Sequence, residues 1–162
     1  MRTGYIIPLL LFFPLLVIQT TIIPLVEING VVPDLILILL VYYTIQNGQV
    51  YGTVLGFVYG FFFDLITGSL LGSVMFTKAL AGFIAGYFSN ENKRDYYLSS
   101  YIFSLIILLC ATIDSFIFSF FSTIELSRNI FISFFEQGLF PGIYTAVIST
   151  AVVIFSPRKS FG

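Results

Sequence analysis

Histidine and tryptophan are absent from this chain of 162 residues, and Cys110 is its single cysteine. Without histidine, the commonest metal ligand and the side chain that titrates near neutrality are both missing. A Ser-His-Asp triad is excluded outright. One cysteine allows no intramolecular disulfide and no thiolate metal cluster. Cys110 falls inside an apolar stretch, where a small buried hydrophobe is its expected role. Charge is scarce as well: 7 Lys and Arg and 8 Asp and Glu make up 9% of the residues, against about 25% in soluble domains. A net charge of -1 leaves no basic footprint for nucleic acid. There is no phosphate-binding loop, no Gly-x-Gly-x-x-Gly nucleotide loop and no paired-cysteine motif. Enzymatic activity, a metal and a cofactor are therefore not expected.

What fills the chain is apolar. Hydrophobic residues make up 58% of it and the mean hydropathy is +1.03, so it reads as an all-α, polytopic integral membrane protein. A bilayer core about 30 Å thick takes about 20 apolar residues per helix. Six stretches meet or approach that length: Tyr5–Ile23, Val32–Ile45, Val50–Ile66, Leu70–Phe88, Leu98–Phe121 and Gly138–Phe155. They predict a six-helix bundle forming one transmembrane domain over residues 1–162. The second stretch is short, and either fills space between its neighbours or extends back through Val31. Pro8 and Pro14 predict a bend in the first helix. Pro33 and Pro141 suit the first turns of the second and sixth, where a missing N–H is harmless. The N-terminal apolar run has no small-residue cleavage site at Ile22-Ile23-Pro24, so it reads as a retained helix rather than a signal peptide.

Loop charges predict the orientation. With a cytoplasmic N-terminus, Arg2, Lys93, Arg94, Arg158 and Lys159 all lie inside and only Arg128 lies outside, which places the C-terminus inside too. Tyr42, Tyr43, Tyr51, Tyr96, Tyr97 and Tyr101 then fall near the cytoplasmic interface, as aromatic belts do. Ser89–Tyr97 is a charged cytoplasmic loop. Ser122–Gln137 is the long external one, and Ile130, Phe131, Phe134 and Phe135 give Arg128–Glu136 the spacing of an interfacial helix. Glu27, Glu125 and Glu136 are expected to be solvated.

One stripe is the most informative feature. Gly52, Gly56 and Gly60 recur every fourth residue, and the next step on that face is Asp64. Small residues at this period let a neighbouring helix approach closely. A carboxylate on the same face must point into protein or water. Lys78, Gly82 and Gly86 form a second such stripe on the following helix, across a tight turn at Thr67–Leu71. With Asp34 and Asp114, four ionisable residues fall in the outer half of the predicted bilayer.

Each of the four has a plain reading and a sharper one. Asp34 follows Pro33 at a helix start, where a cap accounts for it. Asp64 stands near the end of its helix, where the dipole disfavours an anion. Pairing, a partner contact and a ligand or proton site stay open for it. Lys78 either snorkels its ammonium outward or pairs. Asp114 either hydrogen-bonds Ser115, Thr112 or a neighbouring helix, or joins a cluster. The expectation is an intramembrane polar cluster of Asp64, Lys78 and Asp114, with Asp64 paired to Lys78.

A family likeness runs from Pro33 to Gly86. Pro33-Asp34-Leu35 opens a helix, Val41-Tyr42-Tyr43 stands near its end, and Gly48 follows. Then come Gly52-x3-Gly56-Phe57-x2-Gly60-x3-Asp64-Leu65, Gly68-x3-Gly72 and Gly82-x3-Gly86. This pattern resembles the rod shape-determining MreD family, and total length and helix count agree with it. The resemblance implies a non-enzymatic scaffold in the bacterial inner membrane, beside the periplasmic-domain protein MreC. It further implies regulation of a class B penicillin-binding protein and the RodA glycosyltransferase, coupled to MreB filaments and peptidoglycan synthesis. Pro33, Asp34, Gly52, Gly56, Gly60, Asp64, Gly82 and Gly86 are then the residues for helix packing or partner binding. The family is also similar in fold to the substrate-binding subunits of energy-coupling-factor vitamin transporters. A vitamin-uptake subunit is thus the alternative function, with the outer-half charges lining its ligand site. A channel or proton-coupled carrier would need the polar residues to continue across the membrane, and the inner half is almost free of charge.

Overall fold

Residues 6–68, 71–90, 92–99, 101–122 and 138–155 are described in a computed structural model of the chain. Seven α-helices occur among them: α1 (Ile6–Thr21), α2 (Leu35–Asn47), α3 (Gln49–Thr67), α4 (Ser73–Gly86), α5 (Arg94–Ser99), α6 (Tyr101–Ser122) and α7 (Phe140–Phe155). Six lie on the six apolar stretches. The short α5 was not expected. It forms inside the charged loop, where Asp95 favours the positive end of a first turn and Asn90 bonds the Asn92 N–H at 3.1 Å. The Arg128–Glu136 segment, Glu125 and the anchors Arg2, Arg158 and Lys159 lie outside the described residues.

α1 continues through Pro14 and gives way to a 3-10 turn, Ile23–Val26, that carries Pro24 at its start. The chain then turns at Asn29 and Gly30, both at positive φ, closed by reciprocal backbone bonds between Ile28 and Val31. Asn-Gly is the pair that such a turn selects. α2 starts only at Leu35, so the backbone before it is non-helical. Non-helical backbone is tolerated in a membrane protein where it lines a cavity, and this segment does.

The first two turns of α2, Leu35–Val41, are apolar all round, as suits a central element. α2 packs against every other described α-helix, and Ile36, Leu37, Leu40, Val41 and Ile45 form the heart of the core. Its 13 residues span about 20 Å, which explains the short second stretch. Gly48 alone separates α2 from α3, at φ 102 and ψ 175, a region essentially reserved for glycine.

The most extensive helix pair is α3 with α4, and glycine makes it possible. A Cβ on Gly56 would lie 2.2 Å from the Lys78 carbonyl oxygen, one on Gly60 2.3 Å from Met75 Cα, one on Gly82 2.2 Å from the Gly52 carbonyl oxygen, and one on Gly86 2.3 Å from Gln49 Cα. The two backbones touch along their length. Gly52 also receives the Thr44 side chain of α2. On the other side of the bundle α6 packs on α7, where Gly142 abuts the Thr112 side chain. Tyr59 ties α3 to α1: it donates to the Pro8 carbonyl at 2.7 Å and stacks on Phe12 at 4.4 Å.

The outer surface is apolar. Leu25, Val50 and Phe120 are each more than three-quarters exposed. A water-facing surface does not carry large apolar side chains on so many elements. By length and composition α3 and α6 are long and apolar enough to cross a membrane, and α1, α2 and α4 are shorter apolar helices.

Candidate functional site

The site forms where α2 begins. Asp34 caps its own helix: its Oδ1 accepts from the Leu37 N–H at 2.9 Å. Its Oδ2 accepts from the Lys78 ammonium of α4. That ammonium also donates to Asp114 Oδ2 of α6 at 2.6 Å. One lysine therefore bridges two carboxylates and joins α2, α4 and α6. Lys78 and Asp114 are buried, and the Asp34 side chain is 25% exposed.

Two further helices hold the same entry. The Asp34 N–H donates to Thr145 Oγ1 of α7 at 3.1 Å. Gln19 of α1 accepts from the Leu35 N–H at 3.0 Å and donates to the Pro33 carbonyl at 2.8 Å. Gln19 and Thr145 had not been picked out. The available signal was a lone amide near the end of an otherwise apolar helix, and Thr145 carried none.

Asp64 is not a member of this cluster. Its carboxylate accepts backbone N–H groups at the start of α4: Gly72 at 2.9 Å, Met75 at 3.2 Å and Val74 at 3.4 Å. Capping had looked wrong for Asp64 because it sits at the C-terminal end of α3, where its own carbonyl accepts from Gly68. It caps the next helix instead, whose own N-cap is Gly72 and supplies no side chain. The expected Asp64–Lys78 pair gives way for a packing reason. The Lys78 backbone faces Gly56 of α3, and its long side chain runs away to α2 and α6. The cluster is Asp34, Lys78 and Asp114, so Asp34 is both a cap and an ion-pair partner.

Pro33 presents its carbonyl to Gln19, and the glycines at 52, 56, 60, 82 and 86 lie on the faces where α3 and α4 meet. All three charged residues of the cluster line a cleft of about 1070 Å³. The Ile28–Val31 turn borders it, and Phe118 and Tyr144 contribute from α6 and α7. Among the described residues no group of side chains is suited to hold a metal ion. Chemically, the arrangement offers a buried ion triad that fixes helix positions and an acidic lining in an otherwise mainly apolar cleft.

The family model described as rod shape-determining protein MreD matches residues 2–157. No curated protein and no solved structure matches the chain, and nothing among the comparisons supports the vitamin-uptake alternative.

Proposed function

The chain belongs to the MreD family of rod shape-determining proteins, and on that premise we propose that it is a non-enzymatic scaffold of the cell-elongation complex. An integral membrane protein by its family and its apolar helices, it acts in rod-shape determination. In our reading its six apolar helices together span the inner membrane with both termini cytoplasmic. An outward apolar surface docks the transmembrane helix of an MreC-like partner. Through that partner it reaches a class B penicillin-binding protein and RodA, and so influences peptidoglycan synthesis.

The match along residues 2–157 carries this reading. The geometry supports it in one respect. The glycine faces of α3 and α4 are occupied by each other, so they serve internal organisation and leave outward apolar faces for lipid and a partner helix. A bundle locked in this way is a rigid platform, which docking favours because little order is lost on binding.

The test is a detergent pull-down of the tagged protein from its native membrane, with mass spectrometry of what is retained. Recovery of an MreC-like protein with a penicillin-binding protein or RodA is the expected result. Recovery of paired ATPases with a coupling membrane subunit would overturn the scaffold in favour of uptake.

A further inference from the structure

Two independent features of the cleft ask for the same chemical group. The first is charge. Asp34 and Asp114 share the one ammonium of Lys78, so with both carboxylates ionised the cluster holds two negative charges against one positive. An unbalanced charge at membrane depth is costly. The second is an acceptor without a donor. Asp114 is 6% exposed and lines the cleft. Its Oδ2 takes Lys78, while its Oδ1 has no hydrogen-bond partner among the described residues, because the neighbouring Thr77 hydroxyl donates to the Val74 carbonyl at 3.2 Å instead. A buried acceptor left in that state loses its hydration with nothing in return.

These features discriminate among ligands. Protonating Asp114 cancels the charge but creates an O–H that itself needs an acceptor. A neutral donor supplies the hydrogen bond and leaves the charge. A quaternary ammonium supplies the charge and has no N–H. A primary ammonium answers both. The cleft volume lies at the upper end of the range for small-molecule sites, and Phe63, Val74, Phe118 and Val147 on its walls suit an apolar body behind the charged head.

We propose that this cleft binds a primary amine carrying an apolar body, with the ammonium held by Asp114 and Asp34. The shared chemistry has two sources, the headgroup of an aminophospholipid and a free alkylamine. The site is independent of partner docking, so either reading stands if the other fails.

The experiment uses the full purified chain in detergent, followed by native mass spectrometry and thermal unfolding. Phosphatidylethanolamine is compared with phosphatidylcholine and phosphatidylglycerol of the same acyl chains, and hexylamine with hexyltrimethylammonium. Preferential retention of phosphatidylethanolamine by about tenfold, the ratio that one charged hydrogen bond supplies, identifies the lipid source. Stabilisation by hexylamine and not by its trimethyl analogue identifies the free amine. Equal behaviour within both comparisons overturns the proposal without recourse to any variant. Asp34→Asn removes the excess charge yet keeps a good cap and a balanced Lys78–Asp114 pair. It should fold and lose the amine preference. A preference that survives intact in this variant would place binding elsewhere and reject the cleft.

Discussion

Gly56 and Lys78 are in backbone contact: the Cβ that Gly56 lacks would lie 2.2 Å from the Lys78 carbonyl oxygen. That contact fixes two things together. It lets α3 and α4 touch along their length, and it turns the Lys78 side chain toward α2 and α6. Backbone atoms cannot move aside as a flexible side chain can. Gly56→Ala should therefore cost about 1–3 kcal/mol from overpacking, and Gly56→Leu should abolish the monodisperse species on size exclusion. Unfolding temperatures of the alanine variant equal to the parent protein would contradict the contact.

Asp64 should behave as a cap and not as an ion-pair partner. Asp64→Ala leaves several N–H groups of α4 without their acceptor and should cost at least the ~0.5–2 kcal/mol of a lost cap. Asp64→Asn keeps one carbonyl acceptor and should lose less. The ordering of the two variants by thermal unfolding is the check, and the reverse ordering would count against capping.

Lys78 is the strongest single position. Lys78→Met leaves two carboxylates without their cation and should destabilise by about 3–5 kcal/mol. The triple variant Lys78→Met, Asp34→Asn, Asp114→Asn leaves no charge in the cluster and should recover most of that loss. Yield of folded protein from the membrane reads both. Failure of the triple variant alongside the single one would show that the ions do more than balance each other.

Tyr59→Phe keeps the ring on Phe12 and removes only the hydroxyl that reaches Pro8. The expected cost is about 1 kcal/mol, visible as a modest drop in unfolding temperature. Tyr59→Ala also removes the buried ring and should cost about 3–5 kcal/mol.

Much of the architecture was legible in the residues because a membrane helix announces itself by length and hydropathy. Six of the seven described helices lie on the apolar runs, two of them long enough to cross a membrane. The glycine period of four located the touching faces of α3 and α4, since only glycine permits backbone contact. Charge partners were harder. Spacing along a helix gives the face of that helix alone, and Asp64 answers to the end of the next one. The glycine at the start of α4 was the usable clue, a helix start with no side chain of its own to cap it. α5 is too short for a period to show. Gln19 and Thr145 act on the backbone of another segment, and a lone amide marks Gln19 without naming its partner.

The ion triad has a history as well as a geometry. Asp34 precedes Lys78 by 44 residues, and Asp114 follows it by 36. Chains are made from the N-terminus and fold as they emerge. When α4 is made, its lysine therefore meets a carboxylate already in place, and the Asp34–Lys78 pair is balanced before Asp114 exists. The glycine faces that join α3 and α4 are local and complete at the same stage. α6 arrives afterwards and brings the surplus negative charge. The last helices to be synthesised thus meet a lysine that already has one carboxylate partner, and the carboxylate of α6 sets the polarity of the finished cleft.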